Sequence, residues 1–226
     1  DRASFRSYLT ADRIAVSLTP SGPEPWQRLG VILPIEDRTA DTLTVRVPAR
    51  NEYGNFCTET RVIPAAGFSE GFLPWDPEDC AARMRALSGL PYGWGDTGNG
   101  YDCSSTSGGI YRLYGLYTPR NTSIMTCFGG TVTDVTAYTA EEKAALIRSH
   151  PGALLLCPGH VMVSLGTSEP GMYVPAAHNV VGFNLKPDGT ERQDVYRVAV
   201  TDLASIYNGS GAQFLSLVTA VIYYEP

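Results

Sequence analysis

Gly89-Leu90-Pro91-Tyr92-Gly93-Trp94-Gly95, then Asp96-Thr97-Gly98-Asn99-Gly100-Tyr101, then Asp102-Cys103-Ser104-Ser105, is the stretch whose reading decides the fold. Its first part is too rich in glycine for a regular element, and from Asp102 a helical segment runs to about Tyr114. A cysteine therefore stands where a loop becomes a helix. The first turn of a helix has four unpaired backbone N–H groups and a partial positive charge. Both favour a thiolate, and the thiolate is the nucleophilic form of cysteine. The alternative is a small buried residue at a helix start. The helix has Ser, Thr and two Gly in its first half, each Gly costing about 1 kcal/mol against Ala, so it must be held by packing. Cys103, Ser107, Ile110 and Tyr114 share one face, and small residues there would let the helix lie close to a sheet.

Three histidines are available as partners: His150, His160 and His178. His160 opens the alternation His160-Val161-Met162-Val163-Ser164-Leu165, which places His160, Met162 and Ser164 on one strand face. His178 follows Tyr173-Val174-Pro175-Ala176-Ala177, a second strand, and the turn between them makes the two antiparallel. Two imidazoles on neighbouring strands form a base and the group that orients it. His150, at the exposed end of a helix stopped by Pro151, is read as non-catalytic.

The elements Pro91-Tyr92-Gly93-Trp94-Gly95, Asp102-Cys103-Ser104, Tyr111, Gly115 and Pro119-Arg120-Asn121-Thr122-Ser123 resemble the NlpC-type family of bacterial cell-wall cysteine peptidases. Gly159-His160-Val161-Met162-Val163-Ser164-Leu165-Gly166 and Ala177-His178-Asn179 resemble that family's histidine-bearing strands. The resemblance covers residues 77–226. It implies Cys103 as nucleophile, His160 as general base and acid, and His178 as the orienting third residue. It implies Tyr92 beside the oxyanion site, and Asp102 and Ser104 lining the substrate cleft. Asp102 is the candidate partner for a substrate ammonium group. The implied substrate is a peptidoglycan stem peptide, cut at the amide between the γ-carboxyl of D-glutamate and a diamino acid such as diaminopimelate. No cofactor or metal is implied. The alternatives are a papain-like amidase or acyltransferase, or a wall-binding module without activity. Departures from the family pattern are Asp96 and Ser105, where glycine is usual, and Cys127, where glutamine is usual.

Composition narrows the field further. The chain has 226 residues, 43% of them hydrophobic and 18% charged, enough for a real core. The net charge of −6 argues against capture by nucleic acid or anionic lipid. No apolar run of membrane-spanning length occurs. No charged-then-apolar leader opens the chain; the resemblance points to the periplasm, the cell envelope or secretion, with cytoplasmic recycling as the alternative. A monomer is expected. The five cysteines, Cys57, Cys80, Cys103, Cys127 and Cys157, leave at least one free thiol and include no Cys-x-x-Cys.

The expected fold class is α+β: a papain-like catalytic domain over residues 74–226, preceded by a small β-barrel over residues 1–73. Strands are expected around Ile14, Val31, Val45 and Val62, broken by Pro, Gly and Asp clusters including Pro20-Ser21-Gly22-Pro23. Residues 29–73 resemble the bacterial Src-homology-3-like module. Gly67-Phe68-Ser69-Glu70-Gly71 matches a serine-hydrolase pattern, but Pro64 and Pro74 interrupt the strand and helix it needs. Gly93-Trp94-Gly95-Asp96-Thr97-Gly98 matches a dinucleotide fingerprint by letter but follows a helix, not a strand. Asp76-Pro77-Glu78-Asp79 and Thr139-Ala140-Glu141-Glu142 are helix starts. A buried strand is expected at 153–157, strands at 194–200 and 214–224, and a short helix at 201–207.

Overall fold

The computed structural model describes residues 8, 11–20, 22, 24–127 and 129–225; Ser21 and Pro23 of the expected turn, and most of the first ten residues, lie outside these. The chain forms two compact units, residues 1–74 with 112–116, and residues 75–111 with 117–226.

The first unit holds one antiparallel sheet in the order β4-β3-β2-β1-β5. Its strands are β1 (Ile14–Ser17), β2 (Ile32–Arg38), β3 (Thr42–Arg50), β4 (Phe56–Pro64) and β5 (Phe68–Glu70). Leu43, Val45 and Val47 alternate inward along β3 and join Ala15, Leu33, Ile35 and Ile63 in one core. β5 occupies the serine-hydrolase pattern. Ser69 pairs with Val16, and its hydroxyl donates to the Gly71 carbonyl. No helix follows it directly, so the pattern lacks the context that would make it a nucleophile.

The second unit is α+β. Its helices are α1 (Pro77–Ala86), α2 (Cys103–Arg112), α3 (Ala140–Ser149) and α4 (Phe214–Leu217). Its strands are β6 (Thr131–Asp134), β7 (Leu154–Cys157), β8 (His160–Ser164), β9 (Pro175–Asn184), β10 (Arg192–Asp202) and β11 (Ala220–Tyr223). They form an antiparallel sheet in the order β10-β9-β8-β7-β11-β6. Asp76 caps α1 by accepting the Glu78 and Asp79 N–H groups, with Pro77 at the first position. Thr139 and Glu142 cap α3 reciprocally. Ala144 and Ile147 of α3 and Phe214 and Leu215 of α4 pack on the sheet face formed by Leu155, Cys157, Met162, Ala176 and Val221. The Ser164 hydroxyl donates to the Ile147 carbonyl, which fixes β8 residues of even number on this face.

Two expectations for the last quarter of the chain differ from the structure. Residues 201–207 end β10 and then turn instead of forming a helix. The Asp202 carboxylate accepts the N–H groups of Tyr173, Val174 and Ala204 and the Ser205 hydroxyl, and this competes with helical bonding. Residues 214–224 form α4 and then β11 instead of one strand. Buried Lys143 of α3 donates to the Ser216 and Val218 carbonyls, satisfying the end of a helix that sequence periodicity alone reads as strand. Among the described residues no helix is long and apolar enough to cross a membrane.

Thr139→Ala removes one half of the α3 capping box and is expected to cost about 1 kcal/mol. At this chain length that lowers the melting temperature of the transition by about 2–4 °C in calorimetry. An unchanged transition would show that α3 does not depend on its cap.

Candidate active site

The loop before Cys103 is closed at its neck. The Gly93 N–H donates to the Tyr101 carbonyl at 3.0 Å, and the Tyr101 N–H donates to the Pro91 carbonyl at 3.0 Å. Gly93 and Gly100 touch across the neck: a Cβ on Gly93 would lie 2.2 Å from the Thr97 carbonyl oxygen, and one on Gly100 2.6 Å from the Gly93 nitrogen. Within the loop Asp96 has φ 65°. The residue that stands in place of the family's glycine thus holds a glycine-like backbone, which aspartate tolerates better than most residues.

Asp102 is the N-terminal cap of α2. Its Oδ1 accepts the Ser105 N–H (3.0 Å) and the Ser104 hydroxyl (3.1 Å). Its Oδ2 accepts the Gly95 N–H (3.1 Å) and Arg120 Nη2 (2.5 Å). The Asp102 N–H in turn donates to the Ser105 hydroxyl at 2.9 Å, closing a reciprocal cap. This gives Ser105, the second departure from the family pattern, a structural role. Arg120 also donates to the Ser104 hydroxyl at 2.5 Å and lies 3.5 Å from Asp96. Burial acts to raise the Asp102 pKa, but the Arg120 bond and charge and the Ser105 and Gly95 N–H groups outweigh it and hold the carboxyl below its ordinary value. Arg120 is the residue that sequence reading quoted without a role. Its signal was its place in the Pro119-Arg120 motif.

β8 and β9 are in register only at Val163↔Ala177 and Ser164↔Ala176. Continuing that register sets Met162 opposite His178, so His160 and His178 are diagonal neighbours on one face. Their rings meet: His160 Nε2 and His178 Nδ1 are 2.8 Å apart, and His178 Nε2 is 3.0 Å from the Thr201 hydroxyl on β10. Phe214 sets its ring edge-on to both imidazoles, with centroids at 6.3 and 5.8 Å. His178 is fully buried and His160 half-buried. The backbone of Val161, the residue after His160, favours the ionised form of the Cys103 sulfur.

The sulfur is not held as an anion at rest, contrary to the expectation from its helix position. Burial raises the Cys103 pKa and the Asp102 charge adds to this, against the Val161 and Ser104 N–H groups and Arg120. Burial also lowers His160 to about 4. His178 is pushed well below its ordinary value by burial and by the charge of His160. Desolvation therefore outweighs the helix terminus and favours the thiol and the neutral imidazoles. Tyr92 is half-buried, and its hydroxyl is raised by burial and then by the charges of Cys103 and Asp102, the two groups it faces.

An open cleft of about 380 Å³ exposes Cys103, lined by Trp94, Asp102, Cys103, Ser104, Arg120 and Gly159 among others; His160 and His178 are not among its described lining residues. A larger cavity of about 830 Å³ lies in the first unit beside Trp26, Val31 and Val47, with no cysteine, serine or histidine among the described residues of its wall. The smaller cleft is the candidate active site because it holds Cys103, the candidate nucleophile. His150 is elsewhere: its ring lies 3.9 Å from that of Tyr223, and Nδ1 contacts the Leu146 carbonyl and the Ser149 hydroxyl. All five cysteines are free, with Cys80 and Cys157 in the core.

No family model matches the chain, and no curated protein matches it by sequence. Solved structures do share its fold, which is the papain-like fold of NlpC/P60 proteins. An NlpC/P60 endopeptidase from Photobacterium damselae subsp. piscicida superposes with a TM-score of 0.69 at 14% identity, over 99% of this chain and 56% of that one. An NlpC/P60 family protein from Bacillus cereus superposes with a TM-score of 0.63 at 15% identity, over 100% of this chain and 67% of that one. The chain thus spans little more than half the length of the first and two thirds of the second.

Both imidazoles have folded-state pKa values below the unfolded value near 6.5. The unfolded state binds their protons first, so their contribution is fully present above pH ~6.5 and is lost as pH falls towards 4. Urea midpoints should therefore fall across that window, and the double variant His160→Gln/His178→Gln should show a flatter dependence. An equal slope in the variant would mean that these rings are not buried neutral.

Proposed function

We propose that the chain is a cysteine peptidase of the NlpC/P60 kind, acting on peptidoglycan stem peptides at the bond between γ-D-glutamate and a diamino acid. The observation that carries this reading is the 2.8 Å contact between His160 and His178, together with the influence of Val161, the residue after His160, on the Cys103 sulfur. His160 Nε2 is engaged by His178, which leaves Nδ1 to take the thiol proton. In the matching arrangement His160 Nε2–H donates to His178 Nδ1, and His178 Nε2–H donates to the Thr201 hydroxyl. The thiolate attacks the amide carbonyl. The Cys103 backbone N–H and the Tyr92 hydroxyl meet the oxyanion. His160 then gives its proton to the leaving amine and activates the water that releases the acyl-enzyme.

Asp102 and Ser104 line the binding side of the cleft. A substrate ammonium would meet Asp102 in competition with Arg120, which already matches its charge. We read the first unit as a bacterial Src-homology-3-like barrel, on the number and order of its short antiparallel strands. A cell-envelope setting follows from the proposed substrate.

Digestion of purified peptidoglycan followed by mass analysis tests this reading. The expected products carry a new amino-terminal diamino acid and a carboxyl-terminal D-glutamate. Cys103→Ser and His160→Ala should each lower their rate of formation by about 10³-fold or more. Release of whole stem peptides from muramic acid would select the amidase reading, and undiminished turnover in Cys103→Ser would refute the nucleophile.

A further inference from the structure

Asn179 follows His178 in β9, so the two side chains leave opposite faces of the strand. Asn179 is fully buried. Its Nδ2 donates to the Tyr101 carbonyl at 2.8 Å and to the Thr106 hydroxyl at 3.1 Å, and it reaches the Pro91 carbonyl at 3.5 Å. Backbone carbonyls only accept, so this environment fixes which end of the amide points inward. The Thr106 hydroxyl in turn donates to the Asp102 carbonyl at 2.7 Å. Asn179 thus grips the carbonyls of both residues that precede Cys103, one directly and one through Thr106. It also reaches the residue that precedes Tyr92.

The other end of the same amide is unpaired. Oδ1 is buried and has no hydrogen-bond partner. An unsatisfied buried acceptor is destabilising, so an amide here is not explained by packing alone. Its donors are what the surroundings use. Two successive residues of β9 therefore serve the two halves of the site. His178 steadies the imidazole from one face, and Asn179 holds the peptide leading into the cysteine from the other.

We propose that Asn179 is a positioning residue that sets the approach of Cys103 to His160, by tying the segment before the cysteine to the strand of His178. This rests on the reading of Cys103 and His160 as a nucleophile and base. Only Asp102 separates Tyr101 from Cys103, so the link from Asn179 to the Tyr101 carbonyl and on to Cys103 is short, and it is buried throughout. Loss of the grip lets the first turn of α2 shift, and a displacement of about 1 Å at a reacting pair costs on the order of 10²-fold.

The test needs no substrate. Alkylation of Cys103 by iodoacetamide is followed in the full chain at pH 7 and pH 9.5. Mass analysis of the Cys103 peptide keeps labelling of Cys57 and Cys127 out of the rate. His160→Ala should lose much more of the pH 7 rate than of the pH 9.5 rate, where hydroxide begins to ionise the thiol without a base. Asn179→Ala should behave likewise, with a pH 7 loss of about 10²-fold. Thr106→Val, which keeps the shape and removes only the relay to Asp102, should lose less in the same direction. A wild-type ratio of the two rates in Asn179→Ala overturns the proposal, whatever its melting temperature. Should Asn179→Ala not fold, a wild-type ratio in Thr106→Val overturns it instead. If His160→Ala itself matches wild type, the nucleophile–base reading fails and the role of Asn179 falls with it.

Discussion

The site depends on holding two imidazoles in contact, His178 buried and His160 half-buried, without charging either. A 2.8 Å nitrogen–nitrogen contact requires one proton between them, and neither ring can be doubly protonated without severe cost in that surrounding. Phe214 on one side and the β9 and β10 strands on the other exclude water from His178. The sheet makes this arrangement by ending the β8–β9 ladder early. The two rings still meet diagonally. The glycine neck and the Arg120 contact with Asp102 fix the start of the helix that carries Cys103.

A consequence is that helix-terminus electrostatics do not decide the state of the sulfur. The anionic side chain closest in sequence, Asp102, is the cap that starts the helix, and its charge opposes ionisation of the next residue. Arg120 offsets this by matching Asp102. The same contact makes the α2 start rigid, since Ser104, Ser105, Gly95 and Arg120 all converge on one carboxylate. On the proposed mechanism, reactivity comes from proton transfer to a neutral base, in a cleft where Arg120 matches the Asp102 charge beside Cys103.

Much of this was legible in the sequence, for definite reasons. A cysteine after a glycine loop and before a helix, and two histidines on strands joined by a short turn, are patterns with a period and a spacing. The helix caps at Asp76 and Thr139 were equally readable, because capping chemistry is local. What escaped was non-local. The helical turn at Phe214–Leu217 is capped by a lysine more than 70 residues away, and no window of periodicity contains that fact. Asp202 ties together segments about 28 residues apart and replaces the helix that local propensity favours. Thr201 and Asn179 are ordinary strand residues by sequence, and only the pairing of β9 with β10 and with α2 gives them work. The raised thiol pKa was missed because burial is a property of the folded chain, while the helix terminus is visible in the sequence itself.

The central claim is a neutral relay with its free lone pair turned to the cysteine. Nitrogen NMR of the histidine rings at pH 7 reads this directly. The account predicts both His160 and His178 uncharged, each with its proton on Nε2 and with Nδ1 of His160 bare. A proton on Nδ1 of His160, or an imidazolium at either position, would contradict it.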